Sequence, residues 1–181
     1  MKIVERFFND VLLLEPKVIR DHRGFFMESY NQKTMTDLGI NTHFVQDNHS
    51  YTQQKDVIRG LHFQSPPMGQ TKLVRVLEGR VLDVVVDLRP NSPTYKHHCK
   101  VELSSENMLY FYIPSGFAHG FCTLSENCHL FYKVDNHYSV ECNNGISWND
   151  PDLAIDWGVK NPILSEQDAK WCALSETKSG F

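Results

Sequence analysis

The fold class of this 181-residue chain is decided by the stretch Lys72-Leu73-Val74-Arg75-Val76-Leu77-Glu78-Gly79-Arg80-Val81-Leu82-Asp83-Val84-Val85-Val86-Asp87-Leu88. Its many aliphatic and β-branched residues are typical of strands, and Glu78-Gly79 has the composition of a turn. The stretch therefore predicts two neighbouring strands, Lys72 to Leu77 and Val81 to Leu88.

Short strand-like runs of the same kind recur through the middle of the chain. They are Val57 to Phe63, Cys99 to Leu103, Leu109 to Ile113, Phe121 to Leu124 and Cys128 to Val134. Turn residues lie between them at Pro66-Pro67, Pro90 to Pro93 and Pro114 to Gly116. Many short strands at this spacing predict a mostly β chain with a jelly-roll β-barrel.

Helices are predicted at only two places, and both are short. One covers Gln32 to Leu38, where Gly39 supplies a C-cap. The other opens at Ser165 and runs through Trp171. Because the chain has no linker, low-complexity tract or repeat, we expect one domain over residues 1–181.

The composition excludes several classes of function. The net charge is −4, with 41% hydrophobic and 22% charged residues, which does not favour a nucleic-acid-binding protein. No apolar run is long enough to cross a bilayer, and the N-terminus lacks the features of a signal peptide. Five cysteines without a CxxC pair predict reduced thiols in a cytoplasmic protein.

His62 is the first residue that could carry chemistry. In an extended strand side chains alternate between the two faces, so Ile58, Gly60, His62 and Gln64 would share one face. If that face lines a barrel interior, His62 points into the cavity. The pattern leaves three roles open for His62, a general base, a metal ligand or a hydrogen-bonded core residue.

Three further polar residues stand in positions that need an explanation. Lys72 shares a strand face with two valines, so it either meets an anion or extends its ammonium to the surface. Tyr132 lies on the inward face of its predicted strand, where a core tyrosine is the alternative to a functional one. Asp168 follows Ser165 in a capping pattern, and its carboxylate could also orient an imidazole.

Two more segments bear on metal and phosphate binding. Pro114 to His119 matches the PxGxxH half of the cupin signature, but the chain has no HxH motif, and the adjacent His97-His98 would face opposite ways. Because a metal site of this type needs at least three convergent ligands, no metal is expected. Arg20 to Glu28 combines cations, a glycine turn and aromatic rings, which suits either a phosphate and nucleobase or an exposed charged turn.

Taken in order, these segments resemble the dTDP-4-dehydrorhamnose 3,5-epimerase family. The stretches that carry the resemblance are Asp21 to Glu28, Phe44 to Ser50, Ile58 to Gln64, Lys72 to Leu77, Val81 to Leu88 with Ser92-Pro93, Ile113 to Phe121, Tyr132-Lys133, Gly145 to Pro151 and Leu164 to Asp168. They run over nearly the whole chain. As an ordered set they are far more specific than any one of them alone.

The resemblance implies a cofactor-free epimerase, usually a homodimer with a cupin-type jelly-roll core, that acts on a nucleotide-linked 4-keto-6-deoxy sugar. In that family His62 would be the base, Asp168 its partner and Tyr132 the acid on the opposite face of the sugar. Lys72 would stabilise the enolate. The substrate-contacting positions would be Arg23, Phe26, Glu28, Gln46, Asn48, Arg59, His119 and Tyr138. The first three of these would come from the other subunit.

Three positions depart from the family pattern. Asn143-Asn144 stands where the family more often has Glu-Arg, and Gln167 stands where Lys or Arg is common. Because these three positions lack the charges that the family pattern has there, they suggest an alternative substrate, a GDP-linked 4-keto hexose or heptose. Inversion at C3 only or C5 only, and a related ketoisomerase, are further alternatives. A non-catalytic sugar-binding cupin is not favoured, because the proton-transfer residues are all present.

Overall fold

The computed structural model describes residues 1–181 of the chain. Its strands are β1 (Lys2–Phe7), β2 (Val11–Glu15), β3 (Val18–Asp21), β4 (Gly24–Met27), β5 (Gln46–Thr52), β6 (Ile58–Gln64), β7 (Lys72–Glu78), β8 (Arg80–Asp87), β9 (His98–Ser104), β10 (Tyr110–Ile113), β11 (Phe117–Thr123), β12 (Cys128–Val134) and β13 (Asn143–Gly145). The one α-helix is α1 (Gln32–Asp37), and two 3₁₀ turns cover Asp168–Lys170 and Leu174–Glu176. None of the helices has the length and apolar character that a membrane crossing needs.

The strands form two sheets and a separate hairpin. The six-stranded sheet has the order β1-β2-β10-β7-β12-β5, and the five-stranded sheet has the order β13-β6-β11-β8-β9. The hairpin pairs β3 with β4. Antiparallel sheets with these long crossovers form the predicted jelly roll, and the mostly β class is confirmed.

The main core lies between the two sheets. Alternate residues of β7 and β12 point inward, among them Val74, Val76 and Leu130, and they pack against Val85 and Phe121 of the other sheet. Toward one end of the sandwich the same inward faces carry polar side chains instead. That end forms the cleft described below.

The outer face of each sheet is also covered. A C-terminal segment that includes Ile146, Leu153 and Trp157 packs on the five-stranded sheet, and α1 packs on the six-stranded sheet through Met35. Because the C-terminal segment continues along β6, it brings the turn Asp168–Lys170 next to that strand.

The prediction that Ile58 shares one face of β6 with His62 is wrong. Arg59 pairs with Phe121 and His62 pairs with His119, so two residues of β6 oppose one residue of β11. This β-bulge interrupts the alternation of side chains. Ile58 consequently packs in the outer core, whereas Arg59 and His62 both line the cleft.

Two other sequence predictions need correction. β11 begins at Phe117 rather than at Phe121. The sequence did not indicate this start, because Ala118-His119-Gly120 lacks strand-forming residues, but these residues pair fully with β8. The helix predicted from Ser165 through Trp171 is only the 3₁₀ turn Asp168–Lys170. Trp171 is extended, and the next carbonyl, that of Cys172, accepts a hydrogen bond from the backbone of Ser147 at 2.8 Å, which ends the turn.

Candidate active site

A polar cleft lies at one end of the sandwich, between the two sheets. It consists of two adjoining cavities of about 230 and 380 Å³. Four side chains line both cavities, His62, Lys72, Tyr132 and Gln167. Since three of these are predicted catalytic residues, the structure brings the predicted proton-transfer groups together in one space.

His62 and Asp168 form the shortest polar contact in the cleft. The His62 Nε2 atom lies 2.5 Å from Asp168 Oδ1, and the Asp168 side chain is only 4% exposed. Burial alone would raise the pKa of Asp168, but the hydrogen bond and charge of His62 outweigh it and hold that pKa below its usual value. An ionised aspartate of this kind fixes the imidazole and leaves its other nitrogen to accept a proton.

The capping role predicted for Asp168 is present as well. Its backbone N–H donates to Ser165 Oγ at 3.0 Å, which places the start of the 3₁₀ turn. The Asp168 carboxylate meanwhile contacts His62 of β6. One residue therefore serves the turn through its backbone and the imidazole through its side chain.

Lys72 and Tyr132 face His62 from the other sheet. On β7 and β12 they lie on the inward face, with Tyr132 opposite Val74 and Lys72 opposite Val134. Burial lowers the pKa of the Lys72 ammonium to about 8, and the Asp83 carboxylate partly opposes this. Burial raises the pKa of Tyr132, so its hydroxyl keeps its proton at neutral pH. The cleft thus holds a cation and a proton donor opposite the imidazole.

A second histidine–aspartate pair lies deeper in the cleft. His119 Nε2 is 2.9 and 3.0 Å from the two oxygens of Asp83, and Asp83 is fully buried. Burial lowers the pKa of His119, with Asp83 acting in the opposite direction. Asp83 was not among the predicted site residues. The available signal was an acid on the inward face of an otherwise aliphatic strand.

Strand β5 supplies further polar groups to the same interior. Its inward residues are Gln46, Asn48 and Ser50, which pair across from Val134, Tyr132 and Leu130. The Gln46 amide donates to Asn48 Oδ1 at 2.9 Å. Ser50, absent from the predicted set, lines the larger cavity, and its buried hydroxyl has no partner in the protein.

Arg59 and Tyr138 lie at the margins of the cleft. The Arg59 guanidinium lines the larger cavity and is held by Thr52 Oγ1 at 3.1 Å. Tyr138 lines the smaller cavity and is 55% exposed. Both side chains can therefore contact a part of a ligand that extends out of the cleft.

The structure does not bring Arg23, Phe26 and Glu28 into the cleft of their own chain. Arg23 pairs with Asp21 at 2.6 Å, and Phe26 is 70% exposed on the hairpin of β3 and β4. The Glu28 carboxylate accepts hydrogen bonds from residues at the start of α1. These three predicted substrate contacts are consequently absent from a site built by one chain.

Two of the departures from the family pattern line the cleft. Asn143 borders the smaller cavity, and Gln167 borders both cavities. Asn144 instead donates to Ser65 Oγ at 2.8 Å, outside these linings. The cleft wall therefore carries neutral amides at these two positions.

The predicted site residues form no metal-binding cluster, and none of them lines the apolar cavity of the molecule. No group of three or more His, Cys, Asp or Glu side chains is arranged to hold a metal ion. An apolar cavity of about 310 Å³ on the outer face of the six-stranded sheet is lined by residues such as Tyr30, Leu73 and Phe131. Because its lining has no histidine or carboxylate that could act as a base, we place the chemistry in the polar cleft.

Facing sheets that present an imidazole–carboxylate pair and a tyrosine–lysine pair define a cupin-type isomerase that moves protons on a substrate held between them. The family model described as dTDP-4-dehydrorhamnose 3,5-epimerase matches residues 5–176. The chain belongs to this family.

Individual relatives agree with the family match. The dTDP-4-dehydrorhamnose 3,5-epimerase of Salmonella typhimurium is 50% identical over 171 residues, which cover 93% of each chain. The Bacillus anthracis enzyme of the same name, solved with TDP and pyrophosphate bound, has a TM-score of 0.94 at 49% identity and covers 95% of this chain and 98% of its own. The Legionella pneumophila dTDP-6-deoxy-D-glucose-3,5-epimerase, solved with dTDP-4-keto-L-rhamnose, has a TM-score of 0.93 at 44% identity, with 98% and 94% coverage. These comparisons do not favour the GDP-linked or single-centre alternatives.

Proposed function

We propose that the chain inverts C3 and C5 of a dTDP-linked 4-keto-6-deoxy hexose, the substrate class that the relatives' names describe. The observation that carries this proposal is the placement of His62 and Tyr132 on facing sheets. A sugar ring held between the sheets presents one face to each residue. Proton removal on one face and proton return on the other inverts a carbon.

The chemistry follows from the ketone at C4. A C–H bond next to a ketone is acidic because the carbanion delocalises onto the carbonyl oxygen. His62, oriented by Asp168, removes the proton, and Tyr132 returns one to the opposite face. The Lys72 ammonium stabilises the negative oxygen of the enolate, which lowers the barrier. No step of this scheme requires a metal or an organic cofactor.

The nucleotide and its phosphates belong at the open margin of the cleft in this proposal. Arg59 offers a guanidinium for a phosphate, and the exposed ring of Tyr138 offers a surface for the base. Gln46, Asn48 and His119 are assigned to the sugar and its linkage. Calorimetric titration with dTDP and GDP tests this part, and we expect dTDP to bind at least tenfold more tightly. Tighter binding of GDP would contradict it.

We further propose a homodimer in which the hairpin of one subunit completes the cleft of the other. Support comes from the hairpin itself, which exposes Ile19, Phe25 and Phe26 to solvent. Arg23 and Glu28 would then reach a phosphate and sugar bound in the other subunit. A cytoplasmic location fits the five free cysteines.

The activity is tested by incubating the protein with dTDP-4-keto-6-deoxy-glucose and reading the ring couplings of the product by NMR. We expect conversion to the product inverted at C3 and C5. His62→Ala should abolish it. His97→Ala, a matched change at an exposed histidine outside the cleft and the hairpin, should leave the conversion unchanged. A wild-type protein that binds dTDP but leaves both centres unchanged would overturn the proposal.

A further inference from the structure

Trp171 contacts the His62–Asp168 pair from outside the cleft. Its indole Nε1–H donates to Asp168 Oδ1 at 3.3 Å, the same oxygen that contacts His62. The Trp171 ring also meets the His62 ring edge-on, with centroids 6.3 Å apart and planes at 69°. The indole therefore touches both members of the pair without lining either cavity.

Gly145 provides the space in which the Trp171 ring lies. Gly145 pairs directly with His62 across β13 and β6. A Cβ atom built on Gly145 would lie 2.3 Å from Trp171 Cε2 and 2.5 Å from its Nε1. Such distances are far below van der Waals contact, so any other residue here would displace the indole. The glycine and the tryptophan thus form one packing unit beside His62.

The backbone holds this unit in register. Ser147 N–H donates to the carbonyl of Cys172 at 2.8 Å, and Ile146 N–H donates to that of Leu61 at 3.0 Å. These bonds tie the residue after Trp171 to the chain after Gly145, and that chain to β6. The indole can therefore fix the Asp168 carboxylate relative to His62.

We propose that Trp171, seated on Gly145, is a positioning residue that holds the Asp168 carboxylate in line with His62 and limits how strongly that carboxylate binds the protonated imidazole. The inference deepens the proposed function and rests on it. Trp171 does not touch substrate in this assignment. It acts through the oxygen that it shares with His62, because a hydrogen bond donated to the ionised carboxylate stabilises the anion and leaves it a weaker partner for the imidazolium.

The first test is Trp171→Phe, which keeps a ring on Gly145 but removes the N–H donor. We expect kcat to fall about 3- to 10-fold with KM little changed, because the variant loses one hydrogen bond to a charged group. The acid limb of the kcat/KM profile should move to higher pH, since the freed carboxylate binds the protonated imidazole more tightly. His119, Lys72, Tyr132 and Arg59 also face His62 and are unchanged in this variant.

The matched control is Trp148→Phe. This tryptophan packs against the outer core, and no hydrogen bond or ring pairing joins it to His62 or Asp168. A general effect of losing an indole would lower both variants alike and would leave the pH limb in place. A Trp171→Phe enzyme with wild-type kcat and an unmoved acid limb would overturn the inference.

A double-mutant cycle tests the role of Gly145. Gly145→Ala should displace the indole and lower kcat as Trp171→Ala does, and combining the two changes should be no worse than Trp171→Ala alone. Additive losses would contradict the packing unit. If Gly145→Ala does not fold, Trp171→Phe decides the question. The wild-type assay separates the two proposals, because an inactive wild type refutes the function, whereas an active wild type matched by Trp171→Phe refutes only this inference.

Discussion

Lys72 shows how a single residue is adapted to its place. The ammonium sits on a strand face shared with valines, and burial brings its pKa down to about 8. It is therefore cationic at neutral pH and loses its charge at a moderately alkaline pH. A cation that is poorly solvated gains more from meeting an enolate or phosphate than a surface lysine would.

This pKa predicts the alkaline limb of the pH profile. The charged form of Lys72 exists below about pH 8, so kcat/KM should fall as the pH rises through that value. Lys72→Arg should retain some activity and lose this limb, because a guanidinium stays protonated throughout. Initial rates between pH 6 and 10, at substrate concentrations well below KM, would show it.

Tyr132 is the competing source of an alkaline limb. Burial raises its pKa, so its own titration belongs at a higher pH than that of Lys72. Tyr132→Phe should accordingly lower the rate without moving the limb. A limb that stays near pH 8 in Lys72→Arg and shifts in Tyr132→Phe would show that the two roles are exchanged.

At the scale of the element, the bulge in β6 decides where Arg59 and His62 point. Gly60 lies within it at φ +126°, and a Cβ atom there would come within 2.6 Å of the Gly120 Cα. The close approach of β6 to β11 therefore depends on glycine in both strands. Without the bulge, alternation would send one of the two cleft residues to the outer face.

We expect Gly60→Ala to destabilise the protein by about 3 kcal/mol or more, since it combines an unfavourable φ with a backbone clash. Gly39→Ala is the control, because Gly39 also has a positive φ, +85°, but nothing within 4 Å of its Cβ position. It should lose about 1 kcal/mol. Urea denaturation measures the free energy of unfolding of both variants. An equal loss in Gly60→Ala and Gly39→Ala would show that the contact with β11 contributes nothing.

The sequence predicts the strands and the helix whose own residues favour that type of structure. The runs around β7, β8 and β12 are rich in strand formers, and the helix Gln32–Asp37 has the Gly39 that its C-terminus needs. What it could not predict depends on distant partners. The start of β11 depends on pairing with β8, and the extended Trp171 depends on Ser147 and Gly145.

The candidate site divides in the same way. His62, Lys72 and Tyr132 could be predicted because each sits in a recognisable strand, whereas their convergence comes from the jelly-roll topology. Asp83 carries a sequence signal, an acid in an aliphatic strand, but its role depends on the pairing with His119 that only the fold reveals. A serine such as Ser50 carries no such signal, because the burial of its hydroxyl follows from the packing of the two sheets. The bulge could not be predicted either, because it depends on the pairing of β6 with β11.

At the scale of the whole molecule, the proposed dimer makes the site a joint product of two chains. The cleft of one chain holds His62 and Tyr132, while Arg23 stands apart on the hairpin. If the hairpin of each subunit reaches into the cleft of the other, each complete site takes His62 from one subunit and Arg23 from the other. A substitution of His62 and a substitution of Arg23 can then be placed in different subunits of the same dimer.

Mixed dimers test this arrangement. His62→Ala and Arg23→Ala homodimers should each be strongly impaired, but after subunit exchange they should recover up to about a quarter of wild-type activity, because half of the dimers are mixed and each holds one intact site. His62→Ala mixed with Tyr132→Phe is the control and should not recover, since both residues belong to one cleft. No recovery in the first mixture, with exchange verified by mass, would place Arg23 elsewhere.

In the proposed mechanism His62 removes the proton at both carbons beside the C4 ketone, and Tyr132 returns one from the opposite face. The most direct measurement is deuterium incorporation from D₂O into dTDP-4-keto-6-deoxy-glucose, followed by NMR at C3 and C5. We expect deuterium at both positions with the wild-type protein and at neither with His62→Ala. Wild-type incorporation that persists in His62→Ala, or none at all while dTDP still binds, would contradict it.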